Sequence, residues 1–252
     1  MRLVPCLDSL WSGRREGLEE QLSAVRTEGY TAIEIWDWRG KDLTTLEHGG
    51  LAIVVMSGNT FEEPLVDPAA REKAMAHLVR SLAVAERLGC RKLVIHPGYR
   101  ITGIAEEAQR RSFFEFLGEI VRENREVTFL LEPLNSQIDH PGYFLDSLPE
   151  ALAILKEIDA PNLRLLFDCY HVQVMRGSVL ADLEEALPFV EHLHIADYPG
   201  RGEPGTGGMD YPSLLQRVRS FGYEGDVGLE FWTPDPVGSL RRVRGLVPCG
   251  LG

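Results

Sequence analysis

Four segments in the second half of the chain each end an apolar run on a side chain that can hold a cation or move a proton: Glu132 in FLLEPLN, Asp168 in LLFDCYH, His194 in HLHIAD and Glu230 in VGLEF. A fifth, His96 in LVIHPG, has the same form. Singly, each is as readily a strand-end residue that escapes into solvent or caps the next helix. Together they are three carboxylates and an imidazole delivered by successive strands, and that many like charges around one point would raise one another's pKa. A divalent cation relieves the conflict. Oxygen-rich ligands with one imidazole suit Mn2+, Mg2+ or Co2+ better than a structural Zn2+, which prefers thiolates and more histidines. The expectation is one divalent ion, Mn2+ or Mg2+, with His194 favouring Mn2+ and with Co2+ and Zn2+ as further candidates.

Bringing such residues to one rim requires strands that all run the same way. Short apolar runs alternate with longer stretches of helical period, which is the pattern of βαβ units and a parallel sheet. Strands are predicted at residues 2–6, 31–36, 51–56, 92–96, 127–132, 163–168, 190–195 and 226–231. Helices are predicted at residues 68–88, 106–123, 148–158 and 211–221. In the first of these Ala74, Leu78, Leu82 and Ala85 recur at helical spacing and Gly89 supplies the stop. Eight βα units in 252 residues predict a single (β/α)8 TIM barrel spanning 1–252, a fold that needs about 250 residues and carries its functional groups at the C-terminal strand ends. No linker divides the chain, and the Pro/Gly-rich stretch 199–208 reads as a loop. A doubly wound open sheet is the competing fold, but the first βα turn has no GxGxxG fingerprint and nothing resembles a P-loop.

Composition narrows the partners. A net charge of -12 would repel a phosphate backbone, so nucleic acid is not expected. Cys6, Cys90, Cys169 and Cys249 form no CxxC pair, and reduced thiols in a cytoplasm explain them. The chain opens without a basic segment and a long apolar run, and its longest apolar stretch, 51–56, is far too short to cross a bilayer. A cytoplasmic protein with no membrane partner is expected; a homo-oligomer is left open.

The segments LEPLN, DCYH, HLHIADYPGRGEPGTG and GLEF, in this order and spacing, resemble the xylose-isomerase-like barrel superfamily, and within it the hydroxypyruvate isomerase group. The match is strong over residues 130–231 and architectural before them. The resemblance implies that Glu132, Asp168, His194 and Glu230 bind the metal and that Glu132 and Glu230 are the acid/base pair. It further implies that His171 and Arg201 bind substrate oxygens, and His96 joins them as a group facing the substrate. The reaction would be an aldose–ketose interconversion of a small sugar or hydroxy-keto acid by proton transfer through a cis-enediolate. One position departs: hydroxypyruvate isomerases commonly carry Gln where this chain has His194, whereas ketose 3-epimerases carry His. An epimerase is therefore the first alternative. An apurinic-site endonuclease is the second, weakened by VVMSGNT and GTGGM, where the extra zinc ligands of those enzymes would stand. A sugar-binding protein without catalysis is the third. Among other residues, Trp11, Trp36 and Phe61 are expected to wall the pocket and His192 to lie in the core. His48, His77 and His140 are expected in a loop or on helical surface. Residues 39–50 and 57–68 are read as the loops that set pocket size, and His96, His171 and Asp197, which remain nearby once the ligand set is assigned, as too few for a second metal.

Overall fold

The computed structural model describes residues 1–245, so Cys249 lies outside the described residues. Eight strands form the centre: β1 Arg2–Pro5, β2 Ala32–Glu34, β3 Ala52–Ser57, β4 Lys92–Ile95, β5 Thr128–Leu131, β6 Leu163–Asp168, β7 Val190–Ile195 and β8 Asp226–Leu229. Each strand from β2 to β8 pairs in parallel with the next, and β1 pairs with β8. A parallel bridge between Cys6 and Glu34 brings β1 to β2 and closes the ring. This is the expected barrel. Several strands stop a residue or two short of the predicted ends, because the ladder bonds give out before the chain turns away from the rim. His96, Glu132 and Glu230 consequently stand just past their strands, on the rim itself.

The helices are α1 Leu7–Leu10, α2 Leu18–Thr27, α3 Leu43–His48, α4 Arg71–Leu88, α5 Glu106–Glu123, α6 Leu148–Ile158, α7 Cys169–Arg176, α8 Val179–Ala186, α9 Tyr211–Ser220 and α10 Pro236–Arg244. Local chemistry sets their starts. Ser147 caps α6, Asp210 caps α9 and Asp235 caps α10 by accepting a backbone N–H, each with proline in the first turn, where its missing N–H costs nothing. At the other end of α4, Gly89 takes φ 68°, the left-handed stop that its position predicted. Residues 68–70 are a 3-10 turn rather than α-helix, and α3 occupies half of what reads as a loop at 39–50.

Between sheet and helices runs a continuous apolar shell containing Phe113, Phe116, Phe129, Phe144 and Phe167. A separate cluster of Val55, Val94, Leu130 and Leu166 comes from four consecutive strands, β3 to β6. Elsewhere in the ring, β2 and β7 supply buried Glu34, His192 and His194 instead of aliphatic side chains. One flank of the sheet is therefore dry hydrocarbon and the other carries charge. No helix among the described residues is long and apolar enough to cross a membrane.

Candidate active site

A cavity of about 460 Å3 opens at the C-terminal rim, and Glu132, His194, Arg201, Glu230 and His96 all line it. Glu132, Asp168, His171 and Glu230 are buried, and one ligand atom from each lies within 4.8 Å of the others. His194 adjoins this group, with Nδ1 3.4 Å from Glu132 Oε1 and 3.4 Å from Glu230 Oε2. The predicted residues are thus brought together.

Asp168 shows how local structure aims a ligand. As the N-cap of α7 its Oδ1 accepts from the backbone N–H of Tyr170 at 2.7 Å and of His171 at 3.3 Å, which leaves Oδ2 without a hydrogen-bond partner and turned to the site. His171 lies in the first turn of that helix rather than in a loop, because the cap starts the helix at Cys169. Its Nδ1 accepts from the Asn135 backbone N–H at 3.2 Å, so the proton sits on Nε2, 3.6 Å from Asp168 Oδ2. Burial, helped by nearby Arg201, holds the His171 ring well below the ordinary histidine range, so it is a neutral donor.

Arg201 is buried, with its guanidinium on Glu230 and 3.9 Å from Asp168. It adopts φ 53°, a left-handed conformation rare for a residue with a Cβ. Asp197 fixes the loop around it by accepting backbone N–H bonds from Tyr198, Gly205, Gly207 and Met209 at 2.7 to 3.0 Å. With both oxygens committed to the loop, Asp197 is not left over for a second cation. Trp36 Nε1 donates to Glu230 Oε1 at 2.5 Å, and Phe61 stacks 4.7 Å from His96, so two of the three expected aromatics do wall the pocket. Trp11 does not; it is part of the apolar core.

His96 Nε2 meets Ser57 Oγ at 3.2 Å, and burial lowers its pKa to about 4, making it a neutral part of the wall. Of the three histidines expected in a loop or on helical surface, two face inward. His77 is 2% exposed and 2.9 Å from Glu63, while half-buried His140 stacks 5.7 Å from His171 and lines the cavity. His48, the last residue of α3, is exposed as expected. His192 is in the core, and its Nε2 donates to Glu34 Oε2 at 2.8 Å.

Glu34 is the site residue that sequence reasoning missed. A carboxylate inside the otherwise apolar TAIEIW run was the available signal.

The electrostatics ask for a cation. Four buried carboxylates, Glu34, Glu132, Asp168 and Glu230, face one guanidinium and the imidazoles of His171, His192 and His194, of which burial holds His171 and His192 below the ordinary histidine range. Burial, reinforced by Glu230 and Glu132 against the opposing Arg201, pushes Asp168 up to about 7. Burial also raises Glu132. Burial works the same way on Glu230, but Arg201 and His194 outweigh it and hold that carboxyl well below its usual range. Glu132 Oε1, Asp168 Oδ2 and His194 Nδ1 are all buried without a hydrogen-bond partner. Unsatisfied buried acceptors of this kind are costly in a folded protein, and together they make the donor set of a hard divalent ion.

Fold and site define a (β/α)8 barrel enzyme with an acidic, cation-ready centre on its C-terminal face. The chain belongs to the xylose isomerase-like TIM barrel family, whose sequence model matches residues 22–245. It is 32% identical over 235 residues to the putative hydroxypyruvate isomerase of Mus musculus, covering 85% of this chain and 84% of that protein. It is 28% identical over 223 residues to the hydroxypyruvate isomerase of Escherichia coli, covering 81% and 83%. A solved structure described as an AP endonuclease, family 2, from Brucella melitensis superposes with a TM-score of 0.85 at 25% identity, over 97% of this chain and 98% of that one.

Proposed function

We propose that the chain is a divalent-metal-dependent isomerase of hydroxypyruvate or a closely related hydroxy-keto acid. The observation that carries this reading is the placement of two carboxylates, Glu132 and Glu230, either side of His194 Nδ1 at equal distances of 3.4 Å, in a buried cavity lined by Arg201. Glu132, Asp168, His194 and Glu230 would hold the ion, Mn2+ ahead of Mg2+. When bound, such an ion polarises the carbonyl and hydroxyl oxygens of the substrate.

The side chains divide the remaining work. The surroundings of Glu132 and Glu230 push their proton affinities apart, which suits one to deliver a proton and the other to take one. In hydroxypyruvate a proton would leave the hydroxymethyl carbon to Glu230, giving an enediolate; Glu132 would return a proton to the adjacent carbon while the hydroxyl proton passes from the first oxygen to the second, leaving an aldehyde beside a new hydroxyl, and exchange with water would reset the two carboxyls. Arg201 is released from Glu230 to take the substrate carboxylate in a forked, charge-assisted contact. The Nε2–H of neutral His171 donates to a substrate oxygen, and His96 closes the wall beside it. A cytoplasmic location fits the free thiols of Cys6, Cys90 and Cys169.

His194, the residue type that the resemblance associates with ketose 3-epimerases, favours epimerisation as a second reading, and the same two carboxylates would serve it. Apurinic-site cleavage is not supported: Ser57, a hydroxyl, stands at the end of β3.

The test is turnover of hydroxypyruvate in D2O by enzyme stripped with chelator and reloaded. We expect no turnover when stripped, more with Mn2+ than with Mg2+, and deuterium on the carbon that gains hydrogen. Full activity after rigorous chelation, or retention of the original hydrogen, would overturn the mechanism. Reaction only with ketohexoses, inverted at one carbon, would establish the epimerase instead.

A further inference from the structure

Glu34 is buried, 3% exposed at its side chain, and it touches both histidines of β7. Its Oε2 accepts from His192 Nε2 at 2.8 Å, and its Oε1 lies 3.2 Å from His194 Nε2. Neither Glu34 Oε1 nor His194 Nε2 has a hydrogen-bond partner elsewhere. The other ring nitrogen of His194 faces Glu132 and Glu230. The imidazole thus stands between one carboxylate beneath it and two above.

A second observation comes from the strand alongside. Gly228 of β8 is the register partner of His194, and a Cβ there would fall 2.5 Å from Glu34 Oε1 and 2.5 Å from His194 Cδ2. The pair meets in space that only a residue without a side chain leaves open. Backbone conformation does not demand glycine, since Gly228 is absent from the positive-φ residues.

We propose that Glu34 is the positioning residue of the metal centre: its carboxylate keeps the His194 proton on Nε2, so that Nδ1 presents a lone pair to the cation. An imidazole with the opposite tautomer would aim a proton at the ion and could not ligate it. Carboxylate partners of this kind fix the tautomer and ring orientation of a metal-bound histidine, and losing one typically costs about 10- to 100-fold in metal affinity. His192 completes the arrangement by occupying the second oxygen of Glu34, which stops the carboxylate from rotating away from His194. This inference rests on the metal reading of the preceding subsection and adds to it a residue outside the ligand set.

The experiment measures Mn2+ affinity by calorimetry for wild type, Glu34→Gln and Gly228→Ala, with circular dichroism to verify folding. Gln keeps the shape of Glu34 but has only one acceptor oxygen, so it cannot serve both histidines. We expect each variant to bind Mn2+ roughly 10- to 100-fold more weakly. Long-range 15N NMR on the Mg2+-loaded wild type should show the His194 proton on Nε2. Wild-type affinity in both folded variants, or a proton on Nδ1, would overturn the role of Glu34 while leaving the metal reading intact. No Mn2+ binding by wild type would overturn both. Should the variants fail to fold, the wild-type tautomer alone decides.

Discussion

Where the barrel strands begin, charges come in opposite pairs. Arg2 bridges the β1–β8 seam to Asp226 with two bonds of 2.9 and 3.0 Å, and Lys92 of β4 reaches Glu191 of β7 at 3.0 Å. Where the strands end, Glu132, Asp168 and Glu230 crowd around Arg201 and His194, all of them buried and several with unpartnered atoms. The first set is partly open to water and satisfied; such pairs contribute up to about 1 kcal/mol each and hold the ring. The second is buried and over-supplied with negative charge, an arrangement that buried ions tolerate only when something compensates them. What separates the two rims, among the described residues, is that at one of them buried carboxylates outnumber their counter-charges, around a cavity of about 460 Å3.

The largest effect that would sharpen this contrast is on turnover. Glu132→Gln and Glu230→Gln should each lower kcat by about 10^2 to 10^4, the usual worth of a general acid or base, with the circular dichroism spectrum unchanged. A near-normal kcat in either would remove that residue from the proton transfers and leave the charge excess without a chemical purpose.

Arg201→Ala should act on binding more than on chemistry. A charge-assisted hydrogen bond is worth roughly 1.5–3 kcal/mol, so KM should rise about 10- to 100-fold with a smaller change in kcat. Steady-state kinetics check this, and an unchanged KM would make Arg201 only a counter-ion of the resting site.

The smallest effect belongs to the opposite rim. Although burial raises the Asp226 carboxyl, Arg2 outweighs it and holds the group below its ordinary value. A depressed native pKa means that the pair contributes above the unfolded value, about 3.9, and that its contribution fades as pH falls through the native pKa. Asp226→Asn should therefore lower Tm slightly at pH 7, by an amount worth about 1 kcal/mol or less. That difference should close as pH falls through the native pKa of Asp226, and kcat should not change. Thermal melts across pH would show it; a loss of kcat in this variant would erase the division between the rims.

Much of the site was legible because its signals are local. A polar residue that terminates an apolar run names a strand end, and in a parallel barrel all such ends share one rim. Glu132, Asp168, His194 and Glu230 were read this way. His77 was legible too and was misread: with Ala74, Leu78, Ser81 and Ala85 it completes the buried stripe of α4 at helical spacing. The loop-fixing role of Asp197 was not legible. Its four N–H donors belong to a turn whose shape no spacing rule specifies.

The sequence by itself determined the number of βα units, the family and the polar strand ends that meet at the rim, because apolar periodicity and strand-end polarity are properties of neighbouring positions. Tertiary structure alone decided what those residues face. Glu34 meets His192 across 158 positions and Trp36 meets Glu230 across 194. A period of two says which side of a strand a side chain takes, but not what stands opposite; that depends on closing the ring and on the register of strands joined by long crossovers. Ring closure set a carboxylate from β2 under an imidazole from β7, beside a glycine of β8 that leaves them room.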